Sequence, residues 1–185
     1  MERIYSRGFT LIDLIITLAV AAILFGVAIP AFYDLIRTNQ LATQIGLFAR
    51  VVNVGRSEAI KQHATTFVCA RNGQACAEGA DWSKGWLVYR NLDDDDQLKE
   101  EEILAAFGPL AKGYTLTPNV RTNALRFTGD GRVRRQSGAL PLMTFRLCAP
   151  DANAEDVRER SRELVINATG RMRIQFGRVG KTQCP

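Results

Sequence analysis

Between Leu14 and Tyr33 the chain runs for twenty residues without a charge, LIITLAVAAILFGVAIPAFY. As a helix rising about 1.5 Å per residue, such a run spans about 30 Å, the thickness of a bilayer's hydrocarbon core. Asp13 stands at its start, and Arg3 and Arg7 lie upstream, on the side expected to stay cytoplasmic. A secretory signal would end in a small-residue cleavage site, and Pro30-Ala31-Phe32-Tyr33 offers none. The apolar segment is therefore expected to be retained, and the rest of the chain to fold outside the membrane.

Past Tyr33 the pattern turns amphipathic. Leu41, Ile45, Phe48, Val52 and Ala59 recur at helical spacing, with Arg37, Gln44, Arg50, Arg56 and Lys61 between them, so this stripe is expected to cover a sheet. Gly46 and Gly55 are expected to weaken the helix locally. The helical pattern ends near His63, where Thr65-Thr66-Phe67-Val68 brings strand chemistry. Short strands are expected over 66–71, 85–91, 102–107, 114–117, 124–128, 132–136, 142–148, 163–167 and 171–176, separated by turns. Asp93 to Asp96 and Lys99 to Glu102 read as one solvated acidic loop. Four consecutive aspartates lack the alternating ligands and glycine of a calcium loop.

Composition narrows the chemistry. One histidine and four scattered cysteines leave little material for a metal site or a histidine-based triad, so no catalytic residue, metal or cofactor is expected. Four cysteines allow three full pairings. Cys69 and Cys76 bracket a short loop, which favours a local bridge, and Cys148 would then pair with Cys184 to tie down the tail. Such bridges persist in an oxidising compartment.

The net charge of +5 hides an asymmetry. From Phe9 to Val120 there are 9 basic and 12 acidic residues; from Arg121 to Pro185 there are 13 basic and 6 acidic. A basic last third suggests a face that meets a polyanion. Within it, Leu125-Arg-Phe-Thr-Gly-Asp-Gly-Arg132-Val-Arg134 matches Leu164-Val-Ile-Asn-Ala-Thr-Gly-Arg171-Met-Arg173. Each is an apolar strand, a glycine turn, and Gly-Arg-x-Arg entering the next strand, which is hairpin chemistry. Alternation places Arg171 and Arg173 on one face, about 6.6 Å apart along the strand, with Met172 opposite. That is close to the roughly 7 Å between successive phosphates of one nucleic-acid strand. The turn glycines, Gly131 and Gly170, are expected to let backbone N–H groups face an anion. Arg178 and Lys181 follow on the tail. No aromatic cluster interleaves with these charges, so contacts to phosphate rather than stacking on bases are expected. Arg132, Arg134 and Arg135 form a secondary candidate set, more simply read as exposed hairpin arginines.

Arg7-Gly8-Phe9-Thr10-Leu11-Ile12-Asp13-Leu14 resembles the class III leader of type IV pilins and pseudopilins. The resemblance implies cleavage between Gly8 and Phe9 by a prepilin peptidase, methylation of Phe9, and a role for Asp13 in assembly. The family usually carries glutamate where Asp13 stands, and Pro30 matches its helix-kinking proline. The long helix, Arg56-Ser57-Glu58-Ala59, Trp82-Ser83-Lys84-Gly85-Trp86 and the C-terminal Gly-Arg-x-Arg are similar to the FimT/GspH group of minor pilins. That similarity implies a type IV pilin-like α+β fold, a long N-terminal helix packed on an antiparallel sheet. It also implies a leader over 1–8, a membrane and assembly segment over 9–36, and a head over 37–185. The expected localisation is the inner membrane with the head in the periplasm, then the cell surface within a pilus. FimT-type pilins bind double-stranded DNA through the C-terminal motif, which Gly170, Arg171, Met172 and Arg173 match. The implied partners are double-stranded DNA, other pilins and the prepilin peptidase, with no small-molecule substrate; the implied role is DNA uptake in natural transformation. The alternative is a GspH-like minor pseudopilin of type II secretion, with a structural role and no contact with DNA.

Overall fold

The computed structural model describes residues 10–79, 81–91, 98–135 (Arg135 by its backbone only), 142–150, 152, 157–178 and 184. The chain divides into two compact units, Met1–Asn39 and Gln40–Pro185. One helix, α1 (Leu11–Gln62), contributes to both. In the first unit its apolar side chains, Ile15, Ile23 and Phe25 among them, are exposed. This stretch is long and apolar enough to cross a membrane, consistent with a single anchor, and Pro30 lies within the continuous helix.

The second unit is α+β. Its first sheet is built from β1 (Thr66–Asn72), β2 (Ala75–Cys76), β3 (Trp86–Arg90), β4 (Ile103–Phe107), β6 (Ala124–Phe127) and β7 (Val133–Arg135), in the order β4-β3-β1-β6-β7 with β2 pairing to β1. The second holds β5 (Thr115–Pro118), β8 (Met143–Cys148), β9 (Ser161–Ile166) and β10 (Met172–Phe176), in the order β10-β9-β8-β5. Every pairing is antiparallel. All nine expected strands are present to within a few residues at their ends. Three short elements were not foreseen: β2, a 3-10 turn (Glu100–Glu102) and a four-residue helix, α2 (Val157–Arg160).

The helical stripe forms the core as its spacing predicts. Leu41, Ile45, Phe48, Val52 and Ala59 are fully buried, and one cluster unites them with Val68, Val88, Leu125 and Phe127 of the first sheet and Phe145, Leu147, Leu164 and Ile166 of the second. Phe48 is the hub, its ring 5.8 Å from Trp82, 5.3 Å from Trp86 and 4.8 Å from Phe145. Burying aromatic rings of this size contributes several kcal/mol of the driving force, of order 2–3 kcal/mol per side chain. The Trp82–Trp86 segment joins the sheets. Trp82 donates its backbone N–H to Leu116 of β5 and its indole N–H to the Thr122 carbonyl, while Trp86 opens β3.

Two expectations need correction. Gly55 does not merely weaken the helix: a Cβ there would collide with Val68 Cγ2, so its missing side chain lets α1 approach β1. Glu102 does not belong to a solvated loop; it is buried, and its carboxylate accepts the Lys99 backbone N–H at 3.0 Å to cap the turn that starts β4. Asp93 to Asp96 lie outside the described residues.

His63 ends the helix. Its φ of +49° places it in the left-handed region, while Ala64 N–H reaches the Ala59 carbonyl and His63 N–H the Ile60 carbonyl. This is the Schellman arrangement, with histidine where glycine is usual. A β-branched residue is excluded from that conformation, so His63→Val is expected to cost about 1–2 kcal/mol while His63→Gly is tolerated. Thermal unfolding of both variants measures the difference.

Candidate functional site

The two Gly-Arg-x-Arg motifs fold into the same hairpin turn. In the first, Gly131 N–H bonds the Thr128 carbonyl and Thr128 N–H the Arg132 carbonyl; in the second, Gly170 N–H bonds the Asn167 carbonyl and Asn167 N–H the Arg171 carbonyl. Gly131 and Gly170 both have φ of +75°, so each turn is a three-residue loop closed by a glycine bulge. The side chain leading the second turn also organises it. Asn167 Oδ1 accepts the backbone N–H groups of Thr169 and Arg171 at 3.1 and 2.9 Å and the Thr169 hydroxyl at 2.8 Å. These bonds correct one expectation: the N–H groups of the turn glycines, Gly131 and Gly170, are spent inside the turns and are not offered to an anion.

The arginines differ more than their sequences suggest. Arg171 and Arg173 are exposed, and among the described residues neither guanidinium has a hydrogen-bond or ion-pair partner. They line one depression together with Leu142 and Val165, and Met172 packs against the core as expected. Arg173 stands opposite Val165 in the β9–β10 register. In the first hairpin, Arg132 Nε lies 3.1 Å from Asp130. The Thr128 hydroxyl and the Arg132 backbone N–H, with the Arg132 charge behind them, hold the Asp130 carboxyl below its usual pKa. Asp130 therefore stays ionised and neutralises Arg132. The equivalent place in the second turn is Thr169, which brings no charge. Arg134 is half-buried and engaged. The Arg135 side chain and Lys181 lie outside the described residues.

The two turns touch. Val133 N–H bonds the Ala168 carbonyl at 3.2 Å, tying the first sheet to the second. Arg56 of α1 donates its Nε–H to the Gly131 carbonyl at 3.1 Å. A Cβ at Gly170 would strike that same carbonyl and come 2.7 Å from Arg56 Nε, so only glycine allows the contact.

The tail is fastened across the other end of the second sheet. Cys69–Cys76 and Cys148–Cys184 are both disulfide-bonded. Arg146 of β8 and Glu163 of β9 form a buried ion pair, with Nη2 2.5 Å and Nε 3.1 Å from Oε1. Arg146 also donates to the Arg178 carbonyl, Arg178 N–H reaches Glu163 at 3.3 Å, and Gln175 donates to the other Glu163 oxygen at 2.7 Å. The backbone of Arg178 is thus clamped while its side chain is free among the described residues. Burial pushes the Glu163 carboxyl upward, but the bonds from Arg146, Gln175 and the Arg178 N–H outweigh it and hold the pKa below its usual value.

At the other end of the chain, Asp13 accepts the Thr10 backbone N–H at 3.1 Å and its hydroxyl at 2.7 Å, and Asp13 N–H bonds Thr10 Oγ1. Thr10 and Asp13 thereby form a capping box at the start of α1. Gly8 and Phe9 lie outside the described residues. Among the described residues no cluster of His, Cys, Asp and Glu could hold a metal ion.

This geometry, a long helix with an exposed apolar N-terminal stretch and a head of antiparallel sheets, defines a type IV pilin-like protein. The family model described as type II transport protein GspH matches residues 44–170, well over half of the chain, which belongs to that family. Crystal structures of the type IV minor pilin FimU of Pseudomonas aeruginosa share the fold. One gives a TM-score of 0.56 at 21% identity over 74% of this chain and 89% of that one; another gives 0.54 at 20% identity over 73% and 92%. No curated protein matches by sequence. The chain is a GspH/FimT-like minor pilin, and its family and fold are those of structural proteins that assemble with other pilins.

Sequence reasoning missed Asn167 as the organiser of the second turn, although asparagine leading a turn is a known signal. It also missed the Arg146–Glu163 pair, which only strand register reveals. Glu163→Gln leaves Arg146 buried without a counter-charge and is expected to cost about 3–5 kcal/mol. Because the folded pKa is depressed, Glu163 contributes stability that is fully present above its unfolded pKa near 4.5 and lost as pH falls through the folded value. Thermal melts of wild type and Glu163→Gln should draw together as pH is lowered from neutral through the depressed Glu163 pKa.

Proposed function

We propose that this minor pilin binds double-stranded DNA through phosphate contacts made by Arg171 and Arg173, and that it serves DNA uptake in natural transformation. The observation that carries the reading is a pair of exposed guanidinium groups without counter-charges among the described residues, on a turn held rigid by Asn167. Arginine suits the task because its charge is permanent and its planar fork grips phosphate through two bonds. Contacts of this kind position a duplex without reading its sequence. Arg178 extends the basic surface, and Lys181 belongs to the same tail.

In this reading the prepilin peptidase cuts between Gly8 and Phe9, Phe9 is methylated, and Asp13 serves assembly. The head sits in the periplasm while the chain is held in the inner membrane, and reaches the cell surface in the pilus. Residues 1–8 are the leader, 9–36 the membrane and assembly segment, and 37–185 the head. The family's own description favours a second reading, a pseudopilin of type II secretion that never meets DNA.

Titrating the full chain in detergent with duplex DNA separates the two. Arg171→Ala with Arg173→Ala is expected to weaken binding at least tenfold and to flatten the log–log salt dependence by nearly two contacts' worth, about 0.9 each. Thr169→Asp, which copies Asp130 into the second turn, is expected to weaken it similarly without removing an arginine. Wild-type protein that ignores DNA, or variants that bind as wild type does, would leave the secretion reading standing.

A further inference from the structure

β10 is the edge strand of its sheet. Arg171 and Arg173 mark where it begins, and a second basic site closes its far end. There a cavity of about 430 Å³ is lined by Arg158, Gln175, Phe176, Gly177 and Arg178. Arg158 comes from α2, an element that no sequence pattern announced.

The two arginines are brought together by backbone. Gly177 is buried and donates its N–H to the Ser161 carbonyl at 3.3 Å. A Cβ at Gly177 would collide with Ser161 Oγ and come 2.6 Å from the Val157 carbonyl, so the chain leaving β10 lies hard against α2. The next residue, Arg178, is fixed by its own N–H and carbonyl to Glu163 and Arg146. Its side chain is left free to enter the cavity opposite Arg158. Both arginines are exposed, and among the described residues neither guanidinium has a partner. The neighbouring Arg162 is different: it is buried, stacks 4.3 Å above the Phe176 ring and donates to the Glu159 and Ser161 carbonyls. With its guanidinium buried and engaged, it is no ligand.

We propose that Arg158 and Arg178 form a second phosphate-binding site, so that one nucleic-acid backbone is held at both ends of β10. The proposal rests on the DNA-binding reading and adds to it a second point of attachment and a residue, Arg158. Arg173 lies near the start of β10, and Arg178 follows the strand's last residue, Phe176, by two positions. Attachment at both ends of one strand fixes the direction of the duplex along it, which a single pair of arginines does not. Glu159, exposed beside Arg158, opposes the site's positive charge.

The test is a salt titration of the full chain in detergent against a duplex of about 20 base pairs. Arg178→Ala leaves the backbone clamp in place, because both bonds to Arg146 and Glu163 come from main-chain atoms. Together, Arg158→Ala and Arg178→Ala are expected to weaken binding about tenfold at 0.1 M salt and to flatten the log–log slope by nearly two contacts. Arg158→Lys should restore most of the slope, and Glu159→Gln should tighten binding severalfold. If the double variant binds with wild-type affinity and slope while Arg171→Ala with Arg173→Ala is impaired, the second site is refuted and the first stands. If wild type itself fails to bind, both are refuted.

Discussion

One carbonyl oxygen, that of Gly131, gathers the three parts of the head. Arg56 of the helix donates to it, and Gly170 of the second hairpin lies against it with no side chain to hold it away. The bond from Val133 to Ala168 completes the junction between sheets. A charge-assisted hydrogen bond in partly buried surroundings is among the stronger single contacts a protein makes, of order 1.5–3 kcal/mol. Its value here is geometric as well. The helix fixes one turn, that turn fixes the next, and Arg171 therefore leaves a backbone whose position is set by elements from both ends of the head.

The same junction explains why two nearly identical motifs are unequal. Both turns need a glycine in the left-handed region and a polar side chain to collect their N–H groups. In the first, Asp130 accepts the Arg132 N–H and the Thr128 hydroxyl; in the second, Asn167 accepts the N–H groups of Thr169 and Arg171. An aspartate does the job with a charge that Arg132 then neutralises. Asparagine does it without one, and among the described residues its arginines have no counter-charge. A choice made for turn stability thus decides which hairpin presents a positive field.

Much of this architecture was legible because it rests on short-range rules. The apolar stripe from Leu41 to Ala59, the switch of pattern at Thr66 and the paired Gly-Arg turns are each contained within about ten residues. The cysteine pairing could be narrowed because Cys69 and Cys76 are neighbours in sequence. What stayed hidden depends on register. Arg146 and Glu163 face one another only because β8 pairs with β9 at those positions, and in sequence each reads as an ordinary exposed charge. Glu102 misled for a different reason: it follows an acidic run, yet it is buried and accepts the Lys99 N–H three residues back. Gly55 read as a helix weakener because nothing local says that Val68 will lie against it.

The buried Arg146–Glu163 pair bears on how firmly the tail is held. Replacing such a pair by apolar residues of like size is often neutral or stabilising, so its retention is poorly explained by stability alone. Its bonds are not confined to the two side chains: each partner reaches the backbone of Arg178. A hydrophobic pair could bury the same surface but could not specify where a main-chain N–H and carbonyl must lie. The Cys148–Cys184 bridge ties Cys184 to the end of β8. The disulfide fixes Cys184, and the ion pair sets where Arg178 sits. Electrostatics buried on the outer face of the sheet becomes the means by which an exposed guanidinium is aimed.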